Sequence, residues 1–345
     1  MSQAENNKRS VRDTVFRITG LLVIAGSFML AWLVMDFQAF RQNPLSIPAQ
    51  GVRLVVEPGS TLRSIAARLE QQKILDNAVY LVALARYLGL DARIKAGEFN
   101  LQAGITPEQL LQQLADGKVV QHTITLIEGE TFAQMMQRVR ADPVLVHKLE
   151  SSDAETVMAA IGRPGLHPEG RFLAETYHFP RGTSDIDYLR RAFQEMETFL
   201  QESWQERDDD LPLKTPYEAL ILASIVEKET AVAEERPLIA GVFVRRLQKG
   251  MKLQTDPTVI YGMGDSYKGD IRYRDLRRDT PYNTYTRYGL PPTPIAMPGK
   301  DAILAALHPA PGKALYFVAR GDGSHQFSST LKQHNSAVDR YQRKR

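Results

Sequence analysis

The longest apolar run of the chain lies near its N-terminus, where the 18 residues from Ile18 to Met35 carry no charge. A helix of that length, at ~1.5 Å per residue, nearly spans the ~30 Å apolar core of a bilayer. Four basic residues precede the run: Lys8, Arg9, Arg12 and Arg17. Because basic flanks stay on the cytoplasmic side, we expect a cytoplasmic tail over residues 1–17 and a transmembrane helix over residues 18–37, with everything after it exported. The lack of a small-residue cleavage site after the run favours an uncleaved anchor over a signal peptide.

A polar segment with two prolines follows over residues 38–50 and is typical of a linker. Three later segments share an extended start, a glycine, a serine or threonine, and then apolar residues at helical spacing: Val55–Leu69, Asn100–Leu114 and Thr125–Val139. Each of them predicts a strand, a turn and a capped helix. The third is expected to open a larger domain over residues 121–345.

The first of these segments resembles LysM-like units, which are small β-α-α-β modules that bind N-acetylglucosamine-containing glycans in their own family. The resemblance implies such a module over residues 51–120. Any junction between a strand and a capped helix gives a similar pattern. Contact with cell-wall glycan and a purely structural spacer therefore stay open as two interpretations of the module.

A capped apolar helix is predicted from Thr215 to Glu229. Thr215 fits the N-cap, Pro216 the first helical position, and Glu218 the third position of a capping box. Apolar residues then recur at core-facing spacing; Glu229 continues their stripe, whereas Glu227 lies about 200° around the axis. A carboxyl group held against aliphatic side chains near the negative end of a helix dipole is harder to ionise, as a general acid near neutral pH must be. The alternative is that both glutamates are solvated on a fraying last turn.

Helical patterns near Thr131–Val139, Asp185–Gln205 and Glu234–Leu247 alternate with loops rich in proline, glycine and tyrosine, which predicts an α+β fold. Two segments, LQTDPTVIYGMG and YNTYTRYGLPP, are expected to place polar side chains on irregular backbone: Gln254, Asp256, Tyr261, Asn283 and Tyr285. Amide and phenol groups of this kind suit the hydroxyls and ring faces of sugars. Tyrosines that only pack loops, and a turn-forming Asp256 before Pro257, are the alternatives.

Composition narrows the classes of partner and chemistry. With 43 basic and 40 acidic residues, the chain lacks the strong positive charge of a nucleic-acid-binding domain, so a neutral polymer is the better partner. The chain has no cysteine, which excludes disulfides, thiolate metal sites and a cysteine nucleophile. His325 and His334 lie nine residues apart without nearby carboxylates, which is no metal-ligand pattern. Phosphate-binding and dinucleotide motifs are missing as well, so we expect neither a metal nor a cofactor.

Several blocks of the sequence resemble, in order, the endolytic murein transglycosylase (YceG-like) family. They are PEG followed by ETY (Pro168–Tyr177), ASIVEKET (Ala223–Thr230), LQTDPTVIYG (Leu253–Gly262), YNTY (Tyr282–Tyr285) and GLPPTPI (Gly289–Ile295). In that family one glutamate cleaves the glycan strands of peptidoglycan. The resemblance carries this role onto Glu229, which agrees with the helical-face argument, and Glu227 remains the second choice. Residues expected to position the glycan are Glu169, Gln254, Asp256, Tyr261, Asn283 and Tyr285.

The resemblance implies a membrane-anchored lyase that cuts the bond between N-acetylmuramic acid (MurNAc) and N-acetylglucosamine (GlcNAc) and leaves 1,6-anhydro ends. It also implies an elongation-terminating role, partners among the cell-wall synthases, and a body outside the inner membrane. Ordinary glycoside hydrolases need a second carboxylate, and no convincing one is apparent in the sequence. The alternatives are a non-catalytic peptidoglycan-binding scaffold on the same anchor and a muramidase that makes reducing ends.

Overall fold

The computed structural model describes residues 3–343, with side chains described over residues 15–343. The chain forms two compact units, Met1–Gln121 and His122–Arg345. Three two-stranded sheets and a larger number of helices make up the described residues, so the mixed α and β architecture predicted from the sequence is confirmed. The basic side chains Lys8, Arg9 and Arg12 lie outside the residues whose side chains are described.

The first unit begins with helix α1 (Gln3–Gln42). Its part from Val15 to Gln42 is long and apolar enough to span a membrane by length and composition, and its most apolar stretch is wholly exposed. The helix does not stop at residue 37: residues 38–42, expected in the linker, are helical. The reason is the pattern Phe-Gln-Ala-Phe-Arg, which presents Phe37 and Phe40 to the ring of Tyr80 at centroid distances of 5.6 and 5.5 Å.

The rest of the first unit has the order β-α-α-β followed by one more helix. Its elements are β1 (Val52–Val56), α2 (Leu62–Gln71), α3 (Ala78–Tyr87), β2 (Gly97–Leu101) and α4 (Pro107–Asp116). The strands pair antiparallel, from Val52 opposite Leu101 to Val56 opposite Gly97. Thr61 and Thr106 cap α2 and α4, because each hydroxyl accepts the backbone N–H three residues on. The strand, turn and capped-helix pattern is therefore confirmed in the first two repeated segments.

The second unit contains the third repeated segment and most of the helices. Its strands are β3 (Gln121–Thr125, starting at the last residue of the first unit), β4 (Thr176–Pro180), β5 (Tyr316–Ala319) and β6 (His325–Ser328), with β3 paired to β4 and β5 antiparallel to β6. Its α-helices are α5 (Phe132–Ala141), α6 (Ala154–Ala160), α7 (Asp185–Gln205), α8 (Pro216–Glu229), α9 (Arg236–Gln248), α10 (Asp256–Met263), α11 (Tyr273–Arg277), α12 (Lys300–Leu307) and α13 (Leu331–Tyr341). Two short 3₁₀ segments, Ala233–Glu235 and Gly264–Ser266, complete it.

Helix α8 runs through the core of the second unit and is buried on all sides from Ala219 to Val226. It packs chiefly against α12 and α9. Two features predicted for the start of α8 are confirmed. The Thr215 hydroxyl accepts a hydrogen bond from the Glu218 N–H at 3.2 Å, and Pro216 is the first residue of the helix. The reciprocal half of the capping box is absent, because the Glu218 carboxylate accepts the N–H of Lys214 instead, at 2.6 Å. Burying each aliphatic side chain of α8 contributes roughly 1.5–3 kcal/mol, which fixes the position of its last turn.

Candidate active site

Glu229 is the last residue of α8, and it lines two separate cavities of the second unit. The larger has a volume of about 870 Å³ and the smaller about 580 Å³, and Glu229 is the residue that their linings share. Its side chain is partly buried. This carboxyl group is therefore reached from both cavities.

The surroundings of Glu229 favour its protonated form. Burial raises the pKa of its carboxyl group from 4.5 to about 7; the neighbouring Asp256 also raises it, while the Thr255 hydroxyl, His325 and Arg246 lower it. The hydroxyl of Thr255 donates a hydrogen bond to Oε1 of Glu229. Because this bond occupies Oε1, the acidic proton of Glu229 is carried by Oε2. A carboxylic acid that holds its proton up to neutral pH fits a general acid.

Two other buried threonines, Thr258 and Thr284, hold the backbone of Thr255 in place. The Thr255 N–H donates to Oγ1 of Thr284 at 3.1 Å, and Oγ1 of Thr258 donates to the Thr255 carbonyl at 2.8 Å. The preceding residue, Gln254, has φ of +51°, a conformation that residues other than glycine seldom adopt. Strain of this kind persists where the surrounding contacts over-determine the backbone. Here it presents Thr255 to Glu229.

The larger cavity is rich in charged groups. Four of its acidic side chains besides Glu229 are Glu128, Glu130, Glu175 and Glu227, and Lys228 and Arg236 are its basic ones. Three acidic residues are paired: Glu130 with Arg138 at 2.5 Å, Glu175 with Lys300 at 2.7 Å, and Glu227 with the Gly299 N–H at 3.1 Å. The cavity is therefore polar without carrying a large uncompensated charge.

The position of Glu227, 200° around the axis of α8, suggests a solvated side chain on the far side of the helix. The structure shows otherwise. The side chain of Glu227 is only 8% exposed, and Oε1 lies 3.8 Å from Nη2 of Arg236. Burial raises the pKa of Glu227 as well, and the Gly299 N–H acts in the opposite direction. Neither glutamate is fully exposed, because α8 is buried as far as Val226 and other elements pack against part of its last turn, which argues against the fraying-turn interpretation.

The smaller cavity brings together aromatic and polar side chains. Those besides Glu229 are Arg246, Gln254, Thr255, Asp256, Tyr285, Tyr316, Phe317, His325, His334, Asn335 and Gln342. Three of the predicted glycan-positioning residues are therefore here: Gln254, Asp256 and Tyr285. The Tyr285 hydroxyl donates to Oδ1 of Asp256 at 2.5 Å. Asp256 is not in an irregular loop but in the first turn of α10, because Pro257 is favourable near a helix start.

The other three predicted positioning residues line neither of these cavities. Glu169 is 3% exposed and accepts hydrogen bonds from the Phe132 N–H and the Tyr261 hydroxyl, both at 2.9 Å. Tyr261 is in helix α10 rather than on irregular backbone, and its ring packs on Tyr282 at 4.9 Å. Asn283 is 1% exposed, and its amide donates to backbone carbonyls at the end of α11, including that of Arg278 at 2.7 Å. These side chains hold the scaffold together.

Several residues at the site were not identified from the sequence. Thr255 lies within a recognised block but carries no signal of its own. Nδ1 of His325 lies 2.6 Å from Oε2 of Glu235, and this pair stands beside Glu229 although the two residues are 90 positions apart. His334 stacks on Tyr316 at 5.2 Å. A metal-ligand pattern does not reveal these two histidines, because one packs on an aromatic ring and the other makes a hydrogen bond to a carboxylate.

The chain matches known proteins over most of its length. Residues 54–340 match the model of the YceG-like family. The chain is 30% identical over 307 residues to the endolytic murein transglycosylase of Bacillus subtilis, with 84% of each chain covered. It is 29% identical over 344 residues to the protein of that name from Streptococcus pneumoniae (strain R6), covering 88% of this chain and 61% of the relative. The structure of a yceG-like protein from Listeria monocytogenes is 28% identical, with a TM-score of 0.51, and the match covers 84% of this chain and 99% of that one. The chain therefore belongs to the YceG-like family.

Proposed function

We propose that this protein is a peptidoglycan lytic transglycosylase that cuts within glycan strands, with Glu229 as its acid and base. The observation that carries the proposal is the position of Glu229, a carboxyl group with its pKa raised to about 7, where it lines two cavities at once. A strand with sugars on both sides of the scissile bond needs such an arrangement. The names of the Bacillus and Streptococcus relatives support the same substrate and mode of cleavage.

The reaction needs one carboxyl group. Glu229 gives its proton to the glycosidic oxygen of GlcNAc as the bond from that oxygen to C1 of MurNAc breaks. The 6-hydroxyl of the same MurNAc attacks C1 and returns its proton to Glu229, which restores the acid. The product is a 1,6-anhydro ring, no water is consumed, and positive charge at C1 is transient. Gln254, Asp256 and Tyr285 line the smaller cavity, and we expect them to contact the leaving sugar.

A muramidase is the second candidate, and Asp256 is the reason to consider it. Its carboxylate is close enough to Glu229 to raise the pKa of that residue. A second carboxylate could activate water or stabilise C1, as in hydrolysing glycosidases. The Tyr285 hydroxyl already occupies one oxygen of Asp256, which favours a positioning role instead.

Product analysis in H₂¹⁸O separates these reactions. We expect the purified, detergent-solubilised protein to release MurNAc ends that have lost the elements of water and contain no ¹⁸O. A muramidase would give reducing ends that carry the label. A non-catalytic scaffold would bind glycan without new ends. Endolytic action predicts products of intermediate length at early times, whereas cleavage from strand ends would release disaccharides from the start.

We further propose that the span within α1 anchors the protein in the inner membrane with the second unit outside the cytoplasm. The length and apolar character of Val15–Gln42 support the span, and the basic residues before Ile18 support the orientation. A reporter fused after Arg345 should be exported. Protection of the C-terminal body from protease added to spheroplasts with intact inner membranes would contradict this orientation.

The first unit fits the same proposal. Its β-α-α-β order agrees with a LysM-like module, and we propose that it contacts glycan close to the membrane. Cleavage of strands there would end their elongation and bring the enzyme close to cell-wall synthases. Deleting residues 51–120 should then lower the affinity for long strands more than for tetrasaccharides, measured by co-sedimentation.

A further inference from the structure

Helix α9 carries two arginines with little exposed surface, Arg236 at its start and Arg246 near its end. Arg246 is 7% exposed, and its donors are directed at backbone carbonyls. Nε donates to the carbonyl of Leu315 and Nη1 to that of Leu253, both at 2.7 Å. This guanidinium ties together segments of the second unit, so its role is structural.

Arg236 is somewhat less buried than Arg246 and has fewer hydrogen-bond partners. Its side chain is 11% exposed, and its one hydrogen bond within the described residues is from Nη1 to Asp301 at 3.4 Å. Nη2 lies 3.8 Å from Glu227 and 3.9 Å from Glu128, which is too long for a hydrogen bond. Nε is buried and has no hydrogen-bond partner in the part of the chain that the structure describes. Nη2 also makes no hydrogen bond within the described residues, and unlike Nε it is not buried. Unmet donors on a charged group with little exposed surface are costly, so Nη2 is the donor that an acceptor from a ligand in the cavity would satisfy.

The surroundings of Arg236 decide the kind of acceptor. It lines the larger cavity beside Glu229, together with the carboxylates of Glu128 and Glu227. These carboxylates would repel an anion, so a neutral carbonyl oxygen is the better partner. The smaller cavity, in contrast, presents the aromatic rings of Tyr316 and Phe317.

The two sugars of peptidoglycan differ in this respect. At C3, MurNAc carries a lactyl group whose carbonyl is linked to the stem peptide by an amide bond. GlcNAc has a hydroxyl group at C3 instead. If the peptide is removed, the lactyl group ends in a carboxylate. The larger cavity, of about 870 Å³, offers more room for the lactyl group and the start of the peptide than the smaller one, of about 580 Å³, which is lined by aromatic side chains.

We infer that Arg236 donates hydrogen bonds to the lactyl amide carbonyl of the MurNAc whose C1 reacts. This inference rests on the proposed function. It sets the direction of the strand: the peptide-bearing sugar occupies the larger cavity, and the leaving GlcNAc lies in the smaller one. Arg236 is thus a specificity residue that selects glycan with its peptides attached.

The test measures binding to the full-length Glu229→Gln protein in detergent by isothermal titration calorimetry. The ligands are two tetrasaccharides of alternating GlcNAc and MurNAc, one with its stem peptides and one treated with an amidase. We expect the peptide-bearing ligand to bind about tenfold to a hundredfold more tightly, as for a hydrogen bond from a charged donor. Adding Arg236→Gln should abolish this preference, and Arg236→Lys should retain part of it.

Two further variants serve as controls. Arg163→Gln removes an exposed guanidinium that is paired with Glu197 at 2.7 Å, and it should leave the preference unchanged. Tyr316→Ala should weaken both ligands by the same factor. The inference is overturned if Glu229→Gln shows no preference, if Arg236→Gln weakens both ligands equally, or if neither Arg236 variant folds, which would make Arg236 structural. Continued cleavage by Glu229→Gln would instead overturn the proposed function.

Discussion

Two buried glutamates of the second unit have nearly the same acidity but very different surroundings. Burial raises the pKa of both Glu169 and Glu229 from 4.5 to about 7. Both also accept a hydrogen bond from a hydroxyl group, Glu169 from Tyr261 and Glu229 from Thr255. The two carboxyl groups cannot be told apart by these properties.

What separates them is access. Both oxygens of Glu169 are occupied by protein donors, the Phe132 N–H and the Tyr261 hydroxyl, and the residue lines neither cavity at Glu229. In Glu229 only one oxygen accepts a hydrogen bond, from the Thr255 hydroxyl, and the carboxyl group can be reached from two cavities. A raised pKa marks a buried carboxyl group, and only an open approach makes it a candidate catalyst.

The largest expected effect comes from removing the proton of Glu229. Glu229→Gln keeps the size of the side chain and an oxygen for Thr255, so release of anhydro-muropeptides should fall by about 10²–10⁴-fold while glycan binding persists. Glu227→Gln is the matched variant on the same helix turn. It retains an acceptor for the Gly299 N–H and should keep most of the activity. The reverse order of effects, measured by chromatography of the products, would reassign the acid to Glu227.

Removing the hydroxyl donor should change the pH dependence. The wild-type rate should decline above pH ~7, about tenfold per pH unit, as Glu229 loses its proton. The Thr255 hydroxyl lowers the pKa of Glu229, so Thr255→Val should raise that pKa and move the decline to higher pH. Thr255→Ser keeps the hydroxyl and should behave as the wild type. Coinciding profiles for the valine and serine variants would show that this hydrogen bond does not tune the acid.

Glu169→Gln should change stability rather than catalysis. Because the pKa of Glu169 is raised in the folded state, its favourable contribution is present below pH ~4.5 and is lost as the pH rises towards ~7. Glu169→Gln removes the charge and so avoids this loss. The change in the free energy of unfolding from pH 5 to pH 8 should therefore be about 1–3 kcal/mol more favourable in the variant than in the wild type. Denaturant titrations at the two pH values measure this difference. An unchanged pH dependence of stability would mean that Glu169 ionises without cost.

The smallest effect is expected at the other end of α8. Thr215→Ala removes the acceptor for the Glu218 N–H and should cost about 1 kcal/mol of stability. Thr215→Ser retains a hydroxyl and serves as its control. Turnover per folded molecule should be the same in both, measured beside thermal melting. A large loss of turnover with unchanged melting would place this end of the helix in the active site.

Elements with strong periodicity could be predicted from the sequence. Helix α7 runs from Asp185 to Gln205, the range that its apolar spacing indicated, and α8 ends at Glu229 as its cap and stripe suggested. In contrast, the sequence predicts a loop where the structure has α10, because Thr-Asp-Pro is common both in turns and at helix starts. Only the packing of Thr258 and Val259 into the core decides between the two.

The candidate site was predictable only where one segment carries it. The position of Glu229 follows from the helix that bears it, but the burial of Glu227 depends on Gly299, which is 72 residues away. The His325 and Glu235 pair likewise joins residues that are distant in the chain. The motif around Glu169 predicts a position at the glycan, whereas in the structure its carboxyl group contacts Phe132 and Tyr261 and lines neither cavity at Glu229.

The most direct measurement compares Glu229→Gln with Glu169→Gln at pH 6, where both carboxyl groups of the wild type are mostly protonated. Purified glycan strands are incubated with equal amounts of folded protein, and the new 1,6-anhydro ends are counted by mass spectrometry. The account predicts almost none from Glu229→Gln and a near wild-type number from Glu169→Gln. Normal release by Glu229→Gln, or a loss confined to Glu169→Gln, would contradict it.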